Sequence, residues 1–216
     1  MKTDPRFIVI EGPDGAGKTT QIGLLKKAFA AVGINAVFQR EPGGTKLGEM
    51  IRPIVKTHMY PGLTVGQELV LFNASRISFI YEVLKPALER GEWFIADRYA
   101  HSTLAYQTAG GLDTALVATV VNAAVGEVWP HLTFIFDISP NEALKRKEAN
   151  PEDGTRMEDK GLEFHQRVRE NYLLMVENNP DTTVVINATQ TVAQVHGQML
   201  EQINTRFGLN LQPQIS

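Results

Sequence analysis

Short apolar runs alternate along this chain with longer segments in which apolar residues return every three or four positions. The short runs predict strands near 6–11, 35–39 (NAVFQ), 93–97 (WFIAD), 132–138 (LTFIFDI) and 183–187 (TVVIN). The helical spacing predicts helices near 18–32, 45–56, 65–90, 113–126, 140–149, 160–178 and 191–206. Strands that are apolar throughout, separated by helices, imply an α/β fold: a five-stranded parallel sheet with helices on both faces. No low-complexity tract, internal repeat or long linker divides the sequence, so residues 1–216 are expected to form a single domain. In such sheets ligands bind outside the carboxyl ends of the strands, which makes the residues just after each strand the candidates for chemistry.

Those residues are glycine-rich or charged. After the first strand comes IEGPDGAGKTT, residues 10–20, in which Gly12, Gly17, Lys18 and Thr19 fit the spacing G-x-x-x-x-G-K-[ST]. Strand before and amphipathic helix after are in the order that a phosphate-cradling loop requires. Glycines turn successive N–H groups inward around an anion at a helix N-terminus, where unpaired donors and the macrodipole favour negative charge. Gly12, Pro13, Asp14, Gly15, Ala16, Gly17, Lys18, Thr19 and Thr20 are the candidate phosphate-binding residues, Lys18 reaching the outer phosphates and the Thr19 hydroxyl ligating Mg2+. The bland alternative is an ordinary glycine turn.

Composition narrows the partners. With 43% hydrophobic residues the chain can bury a full core, and a net charge of −3 argues against a binder of nucleic-acid polymers, which needs a basic surface. The absence of cysteine removes disulfides, thiolate metal sites and a thiol nucleophile. No apolar stretch is long enough to predict a membrane span, and the start does not read as a signal peptide, so a soluble, cytoplasmic protein is expected.

The other strand ends add polar groups. Arg40-Glu41-Pro42-Gly43-Gly44-Thr45 follows the second strand as a turn with Thr45 as helix N-cap. Asp97-Arg98 ends the third, a carboxylate suited to orienting Mg2+ beside a guanidinium suited to phosphate; Asp137 ends the fourth in the same way and is the competing carboxylate. In the 65–90 helix, Phe72 and Arg76 are four residues apart on one face, continued by Phe79, Ile80 and Val83. An apolar stripe of this kind is commonly plain core, but a ring beside a fixed donor fork can also stack on a planar base and bond its edge.

Taken together, GPDGAGKTT (12–20), REPGGTKLGE (40–49), LFNASR (71–76), VLKPALERGEW (83–93), DRYAHSTLAYQ (97–107) and LEFHQRVRENY (162–172) resemble the thymidylate kinase family of P-loop nucleoside monophosphate kinases over nearly the whole chain. The resemblance implies a P-loop NTPase fold and ATP- and Mg2+-dependent phosphorylation of dTMP to dTDP. It places Asp14 near the acceptor phosphate and sugar hydroxyl, Arg98 on that phosphate, Phe72 stacked on thymine and Arg76 on a base carbonyl. Thr103 and Tyr106 complete the pocket, with Arg40, Glu41, Arg52 and Gln107 among the acceptor-binding set. It also implies a homodimer.

A lid is expected at about 145–158 (KRKEANPEDGTRME), where Pro151 and Gly154 break helical periodicity and Lys145, Arg146, Lys147 and Arg156 supply charge. Such a run is commonly a solvated loop, but phosphoryl transfer needs positive charge and exclusion of water rather than covalent help. Some relatives carry an arginine where this chain has Gly15. Glycine there resembles the bacterial type, which supplies the catalytic arginine from the lid: Arg156 by alignment, Arg146 or Lys147 otherwise. Pro13, Thr155 and the segment Gly110-Gly111-Leu112-Asp113 depart from the family pattern. A kinase for dUMP or a 5-modified dUMP is the alternative within this fold. Outside it stand a GTPase-like switch, for which the guanine-reading N-K-x-D tetrapeptide is missing, and a non-catalytic nucleotide binder.

Overall fold

The computed structural model describes residues 6–148 and 156–214. Five parallel strands, β1 (Phe7–Glu11), β2 (Ala36–Arg40), β3 (Trp93–Asp97), β4 (Leu132–Asp137) and β5 (Thr183–Asn187), pair in the order β2-β3-β1-β4-β5. The helices are α1 (Lys18–Ala31), α2 (Lys46–Lys56), α3 (Val65–Phe79), α4 (Lys85–Glu89), α5 (Ala100–Ala109), α6 (Thr114–Val125), α7 (Pro140–Glu148), α8 (Gly161–Asn178) and α9 (Val192–Phe207).

Period-two alternation in β1 feeds two cores. Ile8 and Ile10 face Leu25 and Phe29 of α1 and Met199 and Ile203 of α9; Phe7 and Val9 face Leu69 and Phe79 of α3 and Val117 and Val121 of α6. Both faces are thus covered, which is why these strands read as continuous apolar runs. A third cluster packs Ala105 and Tyr106 of α5 against Phe164, Val168 and Tyr172 of α8.

Two differences from the expected elements have physical causes. The helix expected over 65–90 is interrupted by a π-turn at Ile80–Leu84, where the Lys85 N–H bonds the Ile80 carbonyl. Pro86 follows; it lacks an N–H and its ring crowds the carbonyl four residues back, so the turn widens. The other difference is α5, which the periodicity did not predict. Ala100, His101, Thr103, Ala105, Tyr106, Gln107 and Ala109 are all buried, so no solvated stripe marks this helix.

Register brings the charged strand ends together. Ile10 pairs with Asp97, Arg40 with Asp97, and Asp137 with Asn187, so every loop that follows a strand opens on the same edge of the sheet.

Candidate active site

The glycine loop between β1 and α1 is close-fitting. A Cβ on Gly12 would stand 2.7 Å from the Phe136 carbonyl oxygen, and one on Gly15 would stand 2.4 Å from that of Ala143. Gly17, at φ +89, caps α1 without a side-chain acceptor, which leaves the first helical amides to an incoming anion. Lys18 is buried, and its ammonium donates to the carbonyls of Gly12 (3.0 Å) and Pro13 (2.7 Å). Burial, then the neighbouring Arg98, pushes it down to about 8.

Arg98 comes from β3, next to β1 in the sheet. It is the one described non-glycine residue with positive φ (68°) and is held there by its own N–H on the Ile10 carbonyl (3.0 Å). Such backbone costs on the order of 1–2 kcal/mol, so its surroundings must over-determine it. The guanidinium donates to Asp14 Oδ1 (2.6 Å) and Ser102 Oγ (3.1 Å) and lies over the Tyr106 ring. Asp14 is also 3.5 Å from Lys56 Nζ and 3.9 Å from Lys18 Nζ. Burial opposes its charge, but Arg98, Lys56 and Lys18 together hold its carboxyl well below the usual carboxylate range.

Beside this cluster opens a cleft of about 470 Å³, lined by Asp14, Lys56 and Arg98 at its charged part and by Glu41, Pro42, Phe72, Arg76, Tyr99, Ser102, Thr103, Tyr106, Gln107 and Met157 elsewhere. Arg76 is fully buried. It bonds Glu41 Oε2 (3.0 and 2.9 Å), Asn73 Oδ1, the Tyr99 carbonyl and Thr103 Oγ1, which fixes its plane. Glu41 is buried with Oε1 lacking any hydrogen bond, and burial outweighs Arg76 to push it up to about 7. A ring at Phe72 and a guanidinium at Arg76 therefore line one cleft.

Expected site residues fall into two groups. Asp14, Glu41, Phe72, Arg76, Arg98, Thr103, Tyr106 and Gln107 share the cleft. Arg40 instead points outward, 3.5 Å from Glu49, and Arg52, which is not among the residues lining the cleft, bonds the Pro42 carbonyl (2.7 Å). Arg146 donates to the Ala188 carbonyl (2.8 Å) after β5. Arg156 docks on Glu68 (2.6 Å), with further bonds to the Leu63 and Val55 carbonyls and its N–H on the Lys56 carbonyl. Thr155, Pro151 and Gly154 of the expected lid lie outside the described residues.

The two candidate metal carboxylates differ. Asp137 is taken by Arg169, which bonds both its oxygens (2.6 and 2.9 Å), whereas Asp97 has a buried Oδ1 without a hydrogen bond. Among the described residues no cluster of three or more His, Asp or Glu side chains forms a cage. A hard octahedral cation that keeps its waters and borrows phosphate oxygens needs one or two carboxylates, and the orphaned Asp97 Oδ1 fits that need.

Several contributors carry no sequence motif. Glu11, fully buried at the end of β1, accepts from the Tyr99 and Ser102 amides and from the Ser102 and Tyr172 hydroxyls, so it caps α5 from a neighbouring strand. A glutamate closing an otherwise apolar strand was the one available signal. Lys56, Glu68 and Lys160 gave none.

A strand, an anion-cradling glycine loop and a lysine beside a separate base-sized cleft define a P-loop α/β nucleotide phosphotransferase. The family model described as thymidylate kinase matches residues 10–199. The chain is 41% identical to the thymidylate kinase of Pelodictyon phaeoclathratiforme, covering 96% of this chain and 99% of that one, and 41% identical to that of Chlorobium luteolum (93% and 98%). The crystal structure of thymidylate kinase from Ehrlichia chaffeensis superposes with a TM-score of 0.76 at 30% identity, covering 93% and 98% of the two chains. The chain belongs to the thymidylate kinase family.

Proposed function

We propose that this protein transfers the γ-phosphoryl group of ATP to dTMP, yielding dTDP and ADP. The observation that carries the reading is the placement of Asp14, which touches the glycine loop's Lys18 on one side and the cleft's Arg98 and Lys56 on the other. A donor phosphate at the N–H groups of the glycine loop and an acceptor phosphate at Arg98 would then face each other, the near-attack arrangement on which phosphoryl transfer depends.

In this reading Lys18 neutralises the transferring group once its contacts with Gly12 and Pro13 are exchanged for phosphate oxygens. Arg98 holds the acceptor phosphate, Phe72 stacks on the pyrimidine, and Arg76, Thr103 and Gln107 meet the base edge. Asp14 orients the acceptor. Thr19 and Asp97 would hold Mg2+, which would supply positive charge to the phosphates. Arg156 or Arg146 would supply the arginine that meets the transferring group.

The exposed Val70, Ile77 and Tyr81 continue one face along α3 and the π-turn, which supports a homodimer packed on that face. No described helix is long and apolar enough to cross a membrane. ADP release measured with dTMP, dUMP, dCMP and dGMP tests the assignment: turnover should be highest with dTMP and absent in Lys18→Ala. Near-parental turnover in that variant, or a purine acceptor preferred to dTMP, overturns it.

A further inference from the structure

We propose that Lys56 is a second cationic ligand for the acceptor's phosphate, working beside Arg98; this rests on the acceptor-cleft reading above. One carboxylate, Asp14, is shared among three cations: Arg98 at 2.6 Å, Lys56 at 3.5 Å and Lys18 at 3.9 Å. The nearby Glu11 already accepts from two amides and two hydroxyls. Asp97, the other carboxylate of this edge, ends the neighbouring strand.

The three cations do not face the same way. Lys18 is turned into the glycine loop by the Gly12 and Pro13 carbonyls, while Arg98 and Lys56 line the cleft with Asp14. The cleft's other charged pair, Arg76 with Glu41, is matched within itself, so beside Asp14 two positive groups meet one negative group, all three partly withdrawn from water. A phosphomonoester dianion offsets that surplus, and a neutral nucleoside does not.

The position suits a mobile charge. Lys56 sits in the last turn of α2, where a cation is favoured by the helix dipole, and its carbonyl accepts the Arg156 N–H (2.9 Å), so its backbone is fixed from two sides. The flexible stem lets Nζ pass from Asp14 to a phosphate oxygen without moving the backbone. Burial, opposed by Asp14, lowers its pKa, in keeping with an ammonium that has fewer counter-charges than its surroundings call for.

The competing role is purely local: Lys56 serves only to neutralise Asp14 and shape the cleft. Calorimetric titration of dTMP and of thymidine into the parent, Lys56→Met and Lys56→Arg separates the two. Methionine keeps the apolar stem and removes the charge. If Lys56 binds phosphate, dTMP affinity falls roughly tenfold or more in Lys56→Met, by the usual worth of a charged hydrogen bond. Thymidine affinity stays within about twofold, and Lys56→Arg recovers most of the loss for dTMP, because charge and donor are restored. Unchanged dTMP affinity, or equal weakening of dTMP and thymidine, overturns the assignment. A parent that binds neither compound overturns the acceptor-cleft reading itself, so the two failures are distinguishable.

Discussion

Replacing Gly15 by alanine tests how closely the glycine loop is fitted to the helix above it. Gly15 has φ +81, and a Cβ there would stand 2.4 Å from the Ala143 carbonyl oxygen and 3.1 Å from its carbonyl carbon, both backbone atoms of α7. Left-handed backbone costs an L-residue ~1–2 kcal/mol. Relieving the contact requires α7 to shift by about an ångström, the scale of an overpacked core, which costs ~1–3 kcal/mol. Together these predict a loss of about 2–5 kcal/mol. For a domain of this size, at ~2–4 °C per kcal/mol, Tm falls by about 4–20 °C. Urea unfolding should show a lower midpoint at unchanged slope, since the exposed surface is the same. A loss under about 0.5 kcal/mol would refute the reasoning, because neither strain nor overlap would then be real. The same geometry predicts that Gly15→Arg gains no rate.

Lys18 sets a pH limit. Its pKa is lowered to about 8, so the ammonium is lost as pH rises through that value; kcat/KM for ATP should fall above it, and kcat should fall only at higher pH because bound ATP holds the proton. A kcat/KM that stays flat to about pH 9.5 contradicts this. Glu68→Gln removes the buried carboxylate on which Arg156 (2.6 Å), Lys160 (3.2 Å) and Gln107 (3.0 Å) converge, and should destabilise toward the low end of the ~3–5 kcal/mol seen when buried pairs are broken, since Lys160 is partly exposed. Less than about 1 kcal/mol in denaturant titration would mean that these groups re-solvate freely. Arg156→Ala should lower kcat at least roughly a hundredfold while dTMP affinity changes far less; a kcat within about threefold of the parent gives the lid role to Arg146 or to neither.

Legibility along this chain follows the range of the interactions involved. The five strands were readable because parallel strands buried on both faces are apolar throughout, and the glycine loop because its spacing is contiguous. Phe72 and Arg76 were readable as an i, i+4 pair. What sequence could not show are roles created by partners far along the chain: Glu11 with Ser102, Glu68 with Arg156, Lys56 with Asp14. Asp97 and Asp137 end their strands alike, and Arg169 of α8 alone separates them by occupying the second. Helix α5 escaped because most of its residues are buried and none is fully exposed, yet it carries Thr103, Tyr106 and Gln107 into the cleft.

The sheet order explains why donor and acceptor groups meet at all. β1 and β3 are neighbours in register, Ile10 opposite Asp97, so the loop after one delivers Asp14 and Lys18 and the loop after the other delivers Arg98. Glu11 then ties the start of α5 to the end of β1, so the wall of the cleft moves with the glycine loop rather than independently of it. Three cations crowd one carboxylate, and burial followed by repulsion from Arg98 lowers the pKa of Lys18. Each phosphate that arrives relieves part of that repulsion. In the proposed reaction the positive field around the transferring group is thus assembled before the reaction begins and needs little reorganisation during it.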